Sequence, residues 1–299
     1  MSAVAAPRVE AVPDKALSAV AWIAILCAGG LVQIVWRVGV GGHPLVWPAV
    51  LQFGALLLLL ALVRTRRALR PLTAFVSTLS ALAGGFVVVF LVERASGFTT
   101  WTDSGRQYLV VPAESALLCL PTLIMLGVAF GFGFRRRELF LVRGDVRAPG
   151  RVPGTSRRLG WNRLGPLVVL LFAVPLCVQL ALTTHTHAHL LARVGELLPL
   201  GMAFAAMNAA QEELRFRAVP LALAVPIVGG ERAIWMTATA FGLAHWSGHP
   251  SGPSGVALTF LGGLVLAKAM LETRGLFWPW AIHAAQDVVI FAFLVLASG

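Results

Sequence analysis

Residues 211–217 read Gln-Glu-Glu-Leu-Arg-Phe-Arg, and they interrupt a run at 197–228 that is otherwise largely apolar. The segment places two adjacent acids and two arginines in a setting that favours lipid. An acid or an arginine at the centre of a bilayer helix costs about 2.5–3.5 kcal/mol on insertion scales. These charges must therefore be paired, hydrated or used chemically, and the segment is a candidate functional site.

The composition is that of a membrane protein. The chain has 299 residues, of which 58% are hydrophobic and 12% charged, whereas a soluble domain carries about 25% charged residues. A helix needs about 20 apolar residues to cross a bilayer. We therefore predict an all-α polytopic transmembrane helical bundle with about eight to nine membrane segments. The candidate segments are residues 17–38, 45–63, 71–92, 109–134, 166–183, 197–228, 233–246, 255–271 and 277–297.

The polar stretches divide the chain into regions. Residues 1–15 are polar and predict a disordered cytoplasmic N-terminus. N-terminal transmembrane helices follow over 16–183, and they include a basic cytoplasmic loop at 135–165. This loop holds nine arginines together with several glycines and prolines, which favours a flexible segment in contact with lipid headgroups. We predict that the C-terminal stretch 197–297 is a transmembrane core of the catalytic type, because it contains the charged segment 211–217.

The net charge of +11 bears on topology. The lysines and arginines cluster between apolar segments, so orientation in the bilayer and anionic lipid headgroups explain them better than nucleic acid does. With residues 64–70 and the loop 135–165 in the cytoplasm, the N-terminus is cytoplasmic. We predict a multi-pass protein of the plasma membrane in this orientation. Four arginines then lie on the outer side: Arg37, Arg94, Arg106 and Arg193.

Polar residues in the later apolar segments are spaced four apart. His245 closes the sequence Phe-Gly-Leu-Ala-His, and His283 opens the sequence His-Ala-Ala-Gln-Asp. Residues four apart share one face of a helix. Three pairs have this spacing: Glu213–Arg217, Phe241–His245 and His283–Asp287.

Two hydrolytic chemistries fit these residues. In one, a glutamate is a general base that takes a proton from a water attacking a peptide carbonyl, while histidines donate to the developing oxyanion. In the other, His245, His283 and a carboxylate hold Zn²⁺, and the metal activates the water. The helical His-Glu-x-x-His signature of soluble zinc proteases is absent.

The three motifs, in this order and on separate apolar segments, resemble the CPBP intramembrane proteases. The pattern of this family is Glu-Glu-x-x-x-Arg, then Phe-x-x-x-His, then His-x-x-x-Asn or Asp. The family includes the CAAX prenyl proteases, the bacteriocin-processing relatives and the Ras-converting enzymes. The resemblance covers about residues 197–297. It implies a helical-bundle peptidase with its site in a membrane cavity.

The resemblance also implies residue roles. By motif position, Glu212 is the general base that activates water, and Glu213 assists it or pairs with Arg217. Phe241 supports the site. Because family members are described both as metalloproteases and as metal-independent glutamate proteases, the chemistry stays open between the two versions.

The implied roles of the histidines depend on which version holds. His245 orients the water or binds metal, and His283 with Asp287 forms the oxyanion site or completes a metal shell. A Zn²⁺ ion would draw its ligands from His245, His283, Glu212 and Asp287. An ionised aspartate cannot donate a hydrogen bond to an oxyanion, whereas asparagine can. The aspartate at position 287 therefore slightly favours the metal-assisted version of the chemistry.

The resulting prediction is an intramembrane endopeptidase that cleaves a membrane-associated protein or peptide, prenylated or of the leader type. One alternative is a non-catalytic membrane scaffold, such as a bacteriocin-immunity protein, which binds a partner in the same cavity. A proton-relaying transporter ranks last, because the motifs occupy one third of the chain without repeat symmetry. Segment 233–246 is short, and it must be tilted or re-entrant if Glu212 and His245 are to meet.

Overall fold

The computed structural model describes residues 14–41, 46–152, 154–248 and 251–298. Within these ranges the chain forms 13 α-helices and one antiparallel two-stranded hairpin. The helices are α1 (Lys15–Ala28), α2 (Leu31–Gly39), α3 (Val46–Thr65), α4 (Thr73–Glu93), α5 (Ser96–Ser104), α6 (Gln107–Leu117), α7 (Cys119–Gly131), α8 (Trp161–Thr183), α9 (Leu191–Glu213), α10 (Val219–Val228), α11 (Gly230–Ala244), α12 (Gly252–Thr273) and α13 (Phe277–Leu296). The strands are β1 (Pro149–Arg151) and β2 (Arg158–Gly160). Most of the predicted disordered N-terminus lies outside the described residues.

The prediction of an all-α polytopic bundle is confirmed. In the described part of the chain, 7 helical stretches are long and apolar enough to cross a membrane, or up to 8 if α1 and α2, which are bent by 58°, form one span. The short segment predicted at 233–246 is not among them, because α11 has only 15 residues. The stretches are Val46–Thr65, Arg67–Glu93, Gln107–Gly131, Trp161–Thr183, Ala188–Val228, Gly252–Thr273 and Phe277–Leu296.

A pair of glycines allows α1 to pack closely on α11. Gly30 has a φ of 94°, a left-handed conformation that glycine adopts easily. A Cβ atom at Gly29 would lie 2.8 Å from the Cα and Cβ atoms of Ala240. The N-terminal helices therefore touch the helix that leads to His245.

The arginine-rich loop folds against the bundle, so the prediction that it is flexible is wrong for its described residues. The Trp161 indole donates to Glu272 at 2.8 Å, and the backbone N–H of Arg151 donates to the same carboxylate at 3.3 Å. Asp145 N donates to the Thr273 carbonyl at 2.8 Å. The hairpin β1–β2 is thereby held at the end of α12, and its arginines remain exposed on the outside.

The polar segment 211–217 lies at the centre of the helix packing. The end of α9 packs on α13, and α11 packs on both α10 and α12. A π-helical turn, Leu214–Ala218, joins α9 to α10 without a break in the helix. This arrangement brings the three motif-bearing regions together in the interior.

Candidate active site

The π-helical turn Leu214–Ala218 presents a buried ion pair. Such wider turns occur frequently at functional sites. Arg217 Nη1 donates to Glu213 Oε1 at 2.5 Å, and both side chains are 0% exposed. The guanidinium also lies over the Phe241 ring, 3.9 Å from its centroid. The pair predicted from the spacing therefore forms, and it ties α9 to α11.

His283 lies among three carboxylates. Its Nδ1 atom is 2.8 Å from Glu213 Oε1, while its Nε2 atom is 3.5 Å from Glu212 Oε2 and 3.9 Å from Asp287 Oδ1. The ring is buried. Because a carboxylate accepts hydrogen bonds, the Nδ1–H of His283 donates to Glu213, and Nε2 faces the other two acids.

Glu212 is the acid that reaches open space. Its side chain is 12% exposed, against 0% for Glu213. Arg215 Nη2 donates to Glu212 Oε1 at 3.2 Å, and the Arg215 guanidinium itself lies over the rings of Phe86 and Phe216. The Oε2 atom of Glu212 has no hydrogen-bond partner among the described residues. One oxygen is therefore held by Arg215, and the other is buried 3.5 Å from Nε2 of His283.

His245 reaches the same interior position because α11 is short. Its 15 residues rise about 22 Å at 1.5 Å per residue, and the chain then turns at His245–Ser247 before α12 begins. The Nδ1 atom lies 2.9 Å from the Phe241 carbonyl oxygen, so Nδ1–H donates to it. Nε2 is left for other partners. If α11 crossed the whole membrane, His245 would lie at a different depth from Glu212. Because α11 is short and the chain turns after it, the two residues lie beside the same cavity.

Asn208 is a site residue that the sequence reasoning missed. Its Nδ2 atom donates to Asp287 Oδ2 at 3.1 Å, and Gln211 Nε2 donates to Asn208 Oδ1 at 3.1 Å. Asn208 lies four residues before Glu212, and the same helical spacing that singled out the other pairs was the available signal. It fixes the orientation of Asp287 from the neighbouring helix.

A cavity of about 530 Å³ adjoins these groups. Glu212, His245, His283 and Asp287 all line it, and most of the remaining wall is apolar, including side chains of α8 and α12. Ligand cavities are typically apolar with a few convergent polar groups. The predicted site residues therefore share one cavity.

A second cavity of about 320 Å³ meets the first at Glu212 and His245. Its wall comes largely from α1 to α4 and includes Gln33, Arg37 and Glu93. Glu114, which lies near the predicted outer end of its segment, lines both cavities. Glu212 and His245 therefore lie where the two cavities meet.

A zinc shell at these side chains stays a prediction. Within the described ranges, no three His, Cys, Asp or Glu residues are grouped so that they could hold a metal ion. Nδ1 of each histidine is engaged, that of His283 by Glu213 and that of His245 by a backbone carbonyl, and this leaves the two Nε2 atoms as the nitrogens that would bind an ion.

Fold and site together define a multi-pass helical membrane protein with an acid–histidine cluster beside an interior cavity. Residues 194–289 match the family model described as "Type II CAAX prenyl endopeptidase Rce1-like". The match confirms the resemblance stated from the motifs, over the part of the chain that carries them. No curated protein and no solved structure matches the chain. The family is one of proteases, which implies a peptide or protein substrate in a membrane environment.

Proposed function

We propose that the protein is an intramembrane endopeptidase in which Glu212 activates the attacking water. One observation carries the proposal. Glu212 lines a cavity together with His245 and His283, and its Oε2 atom, which accepts no hydrogen bond, lies 3.5 Å from Nε2 of His283. An acid with one oxygen anchored by Arg215 and the other without a hydrogen bond is suited to general-base catalysis, which requires a positioned proton acceptor.

The hydrolytic step follows from these positions. Glu212 takes a proton from water as the water oxygen attacks the carbonyl carbon of the scissile peptide bond. The bond to nitrogen then breaks, and the proton passes from Glu212 to the leaving amine. With Nδ1 donating to Phe241, the Nε2 atom of a neutral His245 accepts a hydrogen bond from the water and so orients it.

His283 is suited to stabilise the oxyanion. With both ring nitrogens protonated, it donates from Nδ1 to Glu213, and its Nε2–H lies between Glu212 and Asp287 at the wall of the cavity. The buried Arg217 keeps Glu213 in place for this contact. Asp287, which accepts from Asn208, orients the ring from its own helix.

The role of Asp287 is tested by Asp287→Asn. The asparagine side chain can still accept the Asn208 hydrogen bond and can itself donate to an oxyanion, so we expect activity within about tenfold of wild type. The measurement is kcat and KM on a cleaved peptide. Asp287→Ala should lose more, because it leaves the Asn208 amide without its partner. A loss for Asp287→Asn as large as that for Asp287→Ala would show that the carboxylate itself is required.

The substrate is a membrane-associated protein or peptide, of prenylated or leader type, and we place the protein in the plasma membrane with a cytoplasmic N-terminus. The distribution of arginines supports this orientation. The apolar wall of the larger cavity suits a substrate that is partly embedded in lipid.

The test compares new protein termini in membranes carrying wild type with those carrying Glu212→Gln at equal expression. Termini that appear only with wild type are expected, and they would identify the substrate and the bond. Glu196→Gln is the matched control, because Glu196 is exposed on the same helix and lies outside the cavities. Identical termini in all three membranes would overturn the peptidase and favour the binding scaffold.

A further inference from the structure

The two ends of the bundle differ in charge. One end holds the exposed arginines of residues 64–70 and 135–163, together with Arg232 and Arg274, and we call it the arginine-rich end. Helices α4, α8, α11 and α13 begin at this end, and α3, α7, α10 and α12 finish there. The opposite end holds residues 94–107 and 184–190, and four arginines in all lie in that half of the bundle.

Two of those four arginines are occupied by a structural contact. Arg106 and Arg193 each donate to the hydroxyl oxygen of the buried Tyr108, at 2.8 Å in both cases. They fasten α6 to α9. Donation to a hydroxyl leaves both charges in place, so the contrast in positive charge between the two ends is the one that the residue counts give.

Both cavities reach the opposite end of the bundle. Glu93, the last residue of α4, and Arg37, two residues before the end of α2, line the smaller cavity. Val111 and Gln179, each four residues from a helix terminus at that end, line the larger one. At 1.5 Å per residue, the lining comes within about 6 Å of the helix termini at this end.

Towards the arginine-rich end the site is closed. The nearest lining residues are His283, six residues after α13 begins, and Leu266, seven residues before α12 finishes, so the lining stops about 9 Å short of those termini. Arg217, Val219 and Leu221, which continue from the site in that direction, are each 0% exposed. A peptide can therefore approach Glu212 from the opposite end.

We propose that the site takes its substrate from the non-cytoplasmic face of the membrane. Short arginine-rich loops lie in the cytoplasm by the positive-inside rule, so the end at which the cavities open faces outward. This inference rests on the proposed peptidase function. The substrate class is then a membrane-anchored protein or peptide whose scissile segment lies on the outer face.

The lining of the two cavities agrees with such a substrate. Both cavities are mostly apolar, and the larger one has the volume for the lipid-embedded side of the scissile bond. The smaller one, with Gln33, Arg37 and Glu93, suits the solvated side of the chain. The two meet at Glu212, where cleavage takes place.

Cysteine labelling in intact cells tests the direction of opening. In a background with Cys27, Cys119 and Cys177 replaced by alanine, Glu93→Cys and Gln179→Cys report on the cavities. Asp103→Cys and Arg66→Cys mark the opposite end and the arginine-rich end. We expect a membrane-impermeant maleimide to label the cavity positions and Asp103→Cys in intact cells, and to label Arg66→Cys only after permeabilisation.

Two results would overturn the proposal. Labelling of Arg66→Cys but not Asp103→Cys in intact cells would reverse the orientation. Protection of both cavity positions while Asp103→Cys reacts would show that the cavities do not open outward. Labelling needs no catalysis and should be unchanged in Glu212→Gln, so it is independent of whether the protein cleaves peptides. If it does, the termini specific to wild type should lie in outward-facing segments.

Discussion

Glu212→Gln should reduce kcat by about 10²–10⁴-fold, the usual contribution of a general base. The amide has the shape of the acid and can still accept from Arg215, so the side chain stays in position. It cannot take a proton from water. The measurement is steady-state cleavage, by purified protein in lipid, of a peptide identified from the comparison of termini.

The same measurement carries its own controls. KM should change little, because the substituted side chain keeps its size at the wall of the cavity. Glu196→Gln, the same change at an exposed position of α9, should retain wild-type kcat. A Glu212→Gln protein that keeps more than a tenth of wild-type kcat would remove Glu212 from the role of base.

Arg217→Ala should destabilise the folded protein by about 3–5 kcal/mol, because it leaves the buried carboxylate of Glu213 without its arginine partner and with His283 alone. The loss of the contact with the Phe241 ring adds to this. The free energy of unfolding in detergent micelles, or Tm under the same conditions, measures the effect.

Two further variants test whether the effect comes from the burial of an unpaired charge. Arg232→Ala removes an exposed arginine at the start of α11 and should leave Tm nearly unchanged. Arg217→Met with Glu213→Gln removes both charges and should recover part of the lost stability. Equal Tm values for Arg217→Ala and wild type would mean that the pair does not support the fold.

The sequence was sufficient where contacts lie within one helix. The pairs Glu213–Arg217 and Phe241–His245 follow from residues four apart, and both contacts form. Apolar length and charge distribution likewise predicted a polytopic helical bundle. These properties depend on helical geometry and transfer free energy, which are local to a segment.

Contacts between different helices could not be predicted from the sequence. The hydrogen bond between Asn208 and Asp287 joins α9 to α13, and nothing in either segment specifies the other. The arginine-rich loop looked flexible because its composition is polar and rich in glycine and proline. It is ordered by Glu272, which lies more than a hundred residues further along the chain.

The contact between Gly29 and Ala240 shows that the matched region, residues 194–289, is not an autonomous unit. The helix that leads to His245 rests on α1, so the distance between the histidine and Glu212 depends on a part of the chain that carries no motif. A chimera that joins the motif-bearing third to unrelated membrane helices would contain every motif residue. It would lack the α1 surface on which α11 packs, so we expect it to be active only if α1 is included.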